Sequence, residues 1–220
     1  MTQSSLKPAD SQFALYLGFF VATWVMYVLL VYRHIQALGE DSFAYAAANI
    51  SVRLMVWVLP VFLMLRVIDR VEPLCALGLT GNWKRGVLVG LGLSLLLLVV
   101  ELLRFGWPHD IGRYVTWNSV LSTSFGIGFF EEIPFRGFIL QKLQTLMNFW
   151  LANGIASLLF VGLHLPGWFM LHLFTPSLAL NIFIFSFALG AVFRYSGSLW
   201  SCIISHSAND FISFVLFHGR

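Results

Sequence analysis

Seven mostly apolar stretches, most about 20 residues long, divide this chain and leave it little choice of fold. They run about Phe13–Tyr32, Tyr45–Leu65, Gly86–Leu103, Val120–Leu140, Leu151–Leu173, Leu178–Phe193 and Leu199–Phe217. A helix needs about 20 such residues to cross a bilayer, and it satisfies its backbone polar groups internally, which lipid cannot do for it. Seven spans would use roughly 140 residues of the 220 present. Composition agrees: 59 % of residues are apolar and 10 % charged, against about 45–50 % and 25 % in an ordinary soluble domain. So little charge cannot cover the surface of a soluble protein of this size. The expectation is an all-α membrane protein, a polytopic bundle of about seven transmembrane helices, multi-pass in the cell (inner) membrane. Its first partner is the lipid bilayer. A soluble enzyme, a disordered chain and a nucleic-acid binder are excluded.

The net charge of +3 is a small basic excess that fits the bias of cytoplasmic loops. With seven spans, one side receives Lys7, Arg66, Arg70, Lys84, Arg85, Lys142 and Arg194, and the other Arg33, Arg104, Arg113 and Arg220. That asymmetry puts the N-terminus in the cytoplasm. The first stretch is too long for the apolar region of a signal peptide, and no small-x-small cleavage site follows it. Cys75 and Cys202 sit in separate segments and suggest neither a disulfide framework nor a metal pair. Gly86-x-x-x-Gly90, Gly126 and Gly128 are places where helices can approach closely. The short connections give one integral membrane domain, divisible into residues 1–118 with helices 1–3 and 119–220 with helices 4–7.

Ionisable groups inside a bilayer are costly and usually mark function. Four of the ten acids fall within spans, namely Glu101, Glu131, Glu132 and Asp210, together with Arg53, Arg136, His164, His172 and His206. In the fourth span Glu131 and Glu132 are adjacent, so they point about 100° apart on a helix and cannot do the same job. Glu132 precedes Arg136 by four residues, the favoured spacing for an ion pair. Glu131 is left without a partner, as suits a general base. Pro134 cannot donate to the carbonyl of Phe130, and the resulting kink opens space beside Glu131. The plainer reading is a structural Glu–Arg clamp, which needs only one Glu.

The fifth span places Phe160 and His164 one turn apart. Alone, His164 reads as a core histidine. The seventh span places His206 and Asp210 at i and i+4, with Asn209 close to the same face. Alone, that group is a proton relay or an interhelical hydrogen-bond cluster. Glu101 and Arg53 have no such company and read as structural partners or snorkelling residues.

Taken together and in this order, the three clusters resemble the CPBP family of intramembrane proteases, which includes CAAX prenyl endopeptidases and bacteriocin-processing or self-immunity proteins. The family's Glu-Glu-x-x-x-Arg is matched by Glu131, Glu132 and Arg136, its Phe-x-x-x-His by Phe160 and His164, and its His-x-x-x-Asn or Asp by His206 and Asp210. The resemblance covers about Val120 to Phe217. It implies an intramembrane endopeptidase acting on membrane-associated or prenylated CAAX-type substrates. Glu131 would activate water, His164 would help hold that water or a metal, and His206 with Asp210 would stabilise the oxyanion. A hydrolase in lipid also needs a water-filled cavity lined by the polar helix faces. By the charge asymmetry the fourth span runs from the outer to the cytoplasmic side with Glu131 in its second half, so the cavity is expected to open toward the cytoplasm, the side of Lys142. The family is commonly labelled metalloprotease. Glu131, His164 and His206 would supply three ligands for a divalent metal such as zinc. But no HExxH is present, and Glu131 as a ligand would leave the base unfilled. A metal-free route uses each residue once, with Asp210 as a neutral donor or orienting His206, or with Asn209 turned inward in its place. No cofactor is required by the motifs themselves. Two other functions fit a polar bundle: a non-catalytic immunity or scaffold protein, and a proton-coupled transporter, although the inverted repeats of transporters are not visible.

Overall fold

A computed structural model describes residues 6–109 and 111–217. Arg220, counted above for the charge asymmetry, lies outside these residues, and so does the side chain of Arg113. Among the described residues there is no strand, and seven long helices account for the seven apolar stretches. They are α1 (Ser11–Gln36), α2 (Phe43–Asp69), α3 (Trp83–Phe105), α4 (118–143), α5 (Phe149–Met170), α6 (Pro176–Ser196) and α7 (199–216). By length and composition α1, α2, α3, α5 and α6 can each cross a membrane. The chain is thus an all-α integral membrane protein.

Local chemistry sets the helix starts. Asp10 caps α1 by accepting from the N–H groups of Gln12 and Phe13. Ser42 caps α2, Asn148 caps α5 and Thr175 caps α6, with Pro176 in the first turn of α6. Each supplies an oxygen to a backbone donor that has no partner within its helix. Large apolar side chains such as Leu88 and Leu103 are exposed, as lipid-facing residues should be.

Close approach depends on glycine where two helices touch. Gly86 and Gly90 of α3 face α7: an added Cβ would meet Ser198 Oγ at 2.5 Å and Ile204 Cβ at 2.9 Å. A Cβ at Gly128 of α4 would overlap Ser207 Oγ and the carbonyl of Ile203. These contacts clamp α7 between α3 and α4 and set the height of His206 against Glu131.

The two halves of α4 differ. Residues 131–140 are all buried, and Lys142 beyond them is buried too. Lys142 Nζ lies 2.6 Å from Asp69 Oδ1 and donates to the carbonyl of Lys7 at 3.1 Å. Sequence reading counts Lys142 as a loop charge. The structure instead buries it, because Asp69 at the end of α2 neutralises it. At the other end, residues 118–121 of α4, 164–167 of α5 and 208–211 of α7 are only half-buried. Glu131 stands near the middle of α4, and the half beyond it is sealed by packing. The site is therefore less covered from the end opposite Lys142, whereas the sequence expectation has its cavity opening toward the Lys142 side.

Candidate active site

Glu131 and Glu132 end an α-helical stretch, Gly126–Glu132, that is flanked on both sides by π-type turns. The turns on the far side begin at Ile133, next to Pro134. Pro134 has no N–H to donate, so the ladder there must change, and the wider turn accommodates it. Such turns inside α-helices recur at functional sites because they re-aim side chains.

Glu132 Oε1 accepts from Arg136 NH1 at 2.8 Å and from His206 Nδ1 at 2.7 Å. The Glu132–Arg136 pair is the one its spacing suggests. The second contact joins α4 to α7 across 74 residues of sequence. Arg136 is fixed further by donating from NH2 to the carbonyl of Ser186 at 2.8 Å and to its Oγ at 2.7 Å. Its guanidinium also lies over the Phe160 ring, 4.7 Å from the centroid. Arg136 is 2 % exposed and Glu132 fully buried, so the pair depends on this full set of contacts.

A carboxylate that already accepts from Arg136 must accept from His206, so Nδ1 carries a hydrogen. That directs Nε2 the other way, where it lies 3.9 Å from Glu131 Oε2 and 3.8 Å from Asp210 Oδ2. Asn209 Nδ2 donates to Asp210 Oδ1 at 3.0 Å. Asn209 is thus engaged with Asp210 rather than turned toward His206 in its place.

His164 is placed by its own helix. Its Nδ1 lies 2.9 Å from the Phe160 carbonyl. A carbonyl only accepts, so Nδ1 is the protonated nitrogen, and Nε2 has no hydrogen-bond partner among the described residues. The Phe160 ring stands 5.0 Å from the His164 ring and 6.0 Å from the His206 ring, touching both. The structure thus brings Arg136, His164 and His206 against the Phe160 ring, with Glu131, Glu132 and Asp210 next to His206 and Asn209 joined to Asp210. Among the described residues Glu101 forms no ion pair with them. Ser186 has no signal in the sequence, being one small polar residue in an apolar span.

Residues 114–212 match the Rce1-like family of type II CAAX prenyl endopeptidases. The matched span holds all three motifs, so the resemblance they carry is borne out there. No curated protein and no solved structure matches the chain. At the level of the family, the Rce1-like match supports an intramembrane protease, a hydrolase of peptide substrates. It does not establish the catalytic type. Among the described residues no group of three His, Cys, Asp or Glu side chains is placed to hold a metal ion.

Proposed function

We propose that the protein is an intramembrane endopeptidase in which Glu131 activates water and His206 stabilises the oxyanion. The observation that carries this reading is the aim of His206: Nδ1 is held by Glu132 at 2.7 Å while Nε2 faces Glu131 across 3.9 Å. A water beside Glu131 attacks the scissile carbonyl carbon, and its proton passes to the Glu131 carboxylate. The carbonyl oxygen takes the negative charge and accepts from His206 Nε2–H, which is present when the imidazole carries both protons. Glu131 then returns the proton to the leaving nitrogen as the C–N bond breaks. His164 Nε2 holds the water. Asp210, steadied by Asn209, keeps the His206 ring in place or, when neutral, donates to the oxyanion itself.

Residues 119–220 would carry the chemistry and residues 1–118 would wall the site. The substrate class is membrane-associated peptides, including prenylated CAAX-type ends, and the membrane is the cell (inner) membrane. The test is to incubate protein purified into lipid nanodiscs with prenylated CAAX-type peptides and with unprenylated membrane peptides. New chain ends are read by mass spectrometry. Cleavage at a defined bond in either set is the expected result. Intact peptides throughout, with folded protein, would reject the reading in favour of a non-catalytic membrane protein.

A further inference from the structure

The motifs of the site come from α4, α5 and α7, yet α6 touches two of their residues. Ser186 of α6 accepts from Arg136 NH2 on its carbonyl at 2.8 Å and on its Oγ at 2.7 Å. Phe185, next to it, stands against His206, with ring centroids 5.3 Å apart and planes 75° apart. Neither residue belongs to a motif, and one phenylalanine in an apolar span carries no signal of its own.

This stretch of α6 is tied to three helices. Besides the Ser186 contacts to α4, the carbonyl of Phe187 accepts from Asn153 Nδ2 of α5 at 2.9 Å. The carbonyl of Leu189 accepts from Cys202 Sγ of α7 at 3.2 Å. Gly190 lets α5 come close, since an added Cβ there would overlap the side-chain amide of Asn153. Ser186, Asn153 and Cys202 are all buried. In lipid, where the hydrophobic effect does not draw helices together, close packing and hydrogen bonds of this kind fix one helix against the next. Phe185 therefore projects from a segment held by the same helices that carry the motifs.

His206 needs such a neighbour. Its Nδ1 bond to Glu132 at 2.7 Å fixes one point of the ring. A single hydrogen bond tolerates a range of angles, and a tilt about it swings Nε2 away from Glu131, 3.9 Å off. A working side chain has to be held to within about 0.5 Å and 10–20°. Edge-to-face packing supplies the further restraint, because it is favourable only over a limited range of ring orientations. Phe160 packs on the imidazole from α5 at 6.0 Å and Phe185 from α6 at 5.3 Å.

We infer that Phe185 is a positioning residue for His206: its ring holds the plane of the imidazole so that Nε2 stays aimed at Glu131. The inference rests on the protease reading for its effect on rate, and it adds to that site a residue outside the motifs. Phe185 acts through His206 and not on the substrate.

The experiment compares wild type with Phe185→Met, Phe185→Leu and Phe185→Tyr in nanodiscs. Phe183→Leu, at another half-buried ring of α6, is the control. One readout is kcat and KM on a cleaved membrane peptide. The other is the nitrogen NMR signal of the His206 ring in histidine-labelled protein, identified by its loss in His206→Asn. Phe185→Met and Phe185→Leu are expected to lower kcat by about 10-fold, the low end for groups that orient a working side chain, with KM unchanged. Their His206 signals should broaden or double. Phe185→Tyr keeps the ring and should restore both kcat and the sharp signals, and Phe183→Leu should match wild type. Wild-type kcat with unchanged ring signals in Phe185→Met and Phe185→Leu would overturn the inference. An equal fall in Phe183→Leu would overturn it too, since the packing of α6 in general would then set the rate. If wild type cuts no membrane peptide, the protease reading has failed, and the ring signals decide the inference alone. A change on removing the Phe185 ring upholds it, and no change overturns it. Magnetisation transfer between the Phe185 and His206 ring protons of wild type needs no variant to fold, and its absence would likewise overturn the inference.

Discussion

His206 and Glu132 are 74 residues apart in sequence, yet Nδ1 lies 2.7 Å from Oε1 inside the bundle. That one contact gives Glu132 two tasks, since the same oxygen also holds Arg136 at 2.8 Å. It fixes which nitrogen of His206 faces Glu131.

Glu132 should therefore matter to rate as well as to folding. Glu132→Gln is expected to lower kcat by about 10- to 100-fold, the range for groups that orient a working side chain. Glu132→Ala leaves Arg136 buried without its counter-charge, at a cost of about 3–5 kcal/mol, and should show a large fall in Tm. Steady-state kinetics beside thermal melts check both. A Glu132→Gln protein with unchanged kcat would show that His206 does not depend on this contact.

Asp210 distinguishes side-chain chemistry from metal chemistry. Asp210→Asn keeps a group that can donate or steady His206, and should retain substantial activity. Asp210→Ala should lose on the order of 10²-fold or more, the scale for removing an oxyanion donor. If both variants are equally inactive and wild-type activity tracks added Zn²⁺, a metal does the work and the mechanism above is wrong.

Gly128 sets the gap between α4 and α7. In Gly128→Ala the new methyl would overlap Ser207 Oγ and the backbone of Ile203, so α7 must move. Overpacking of this kind costs about 1–3 kcal/mol, and a shift near 1 Å can reduce rate by about 10²-fold. Gly154→Ala, where a Cβ meets nothing within 4 Å, is the control and should be near neutral. Equal Tm and activity for the two variants would mean that α7 is not clamped as described.

The buried Lys142–Asp69 pair should support the fold without touching catalysis. It lies eleven residues along α4 from Glu131, about 16 Å. Lys142→Met strands the Asp69 carboxylate, at a cost of about 3–5 kcal/mol. Adding Asp69→Leu should recover most of the lost Tm, since an apolar pair avoids the stranded charge. If the double variant melts no higher than the single one, the loss comes from packing rather than charge.

Parts of this arrangement are legible in the chain and parts are not. The seven helices are legible because lipid admits few backbone solutions and demands long apolar runs. The Glu132–Arg136 pair is legible because i,i+4 spacing places the two side chains together on any helix. The Glu132–His206 contact is not. It depends on α7 resting against Gly128, and no local pattern in either segment reports that. The same holds for Ser186, which joins Arg136 only through the packing of α6. The less covered end of the site was misread because the buried half of α4 looks, in sequence, like any other apolar run. Only the pairing of Lys142 with Asp69 and the burial of residues 131–140 reveal it.

The most direct test of the account is single-turnover cleavage by Glu131→Gln. The substitution preserves size and hydrogen bonding while removing the group that takes the proton from water. Cleavage should fall to background, with Tm within a few degrees of wild type. A well-folded Glu131→Gln protein that cuts its peptide at a rate near that of wild type would contradict the central claim.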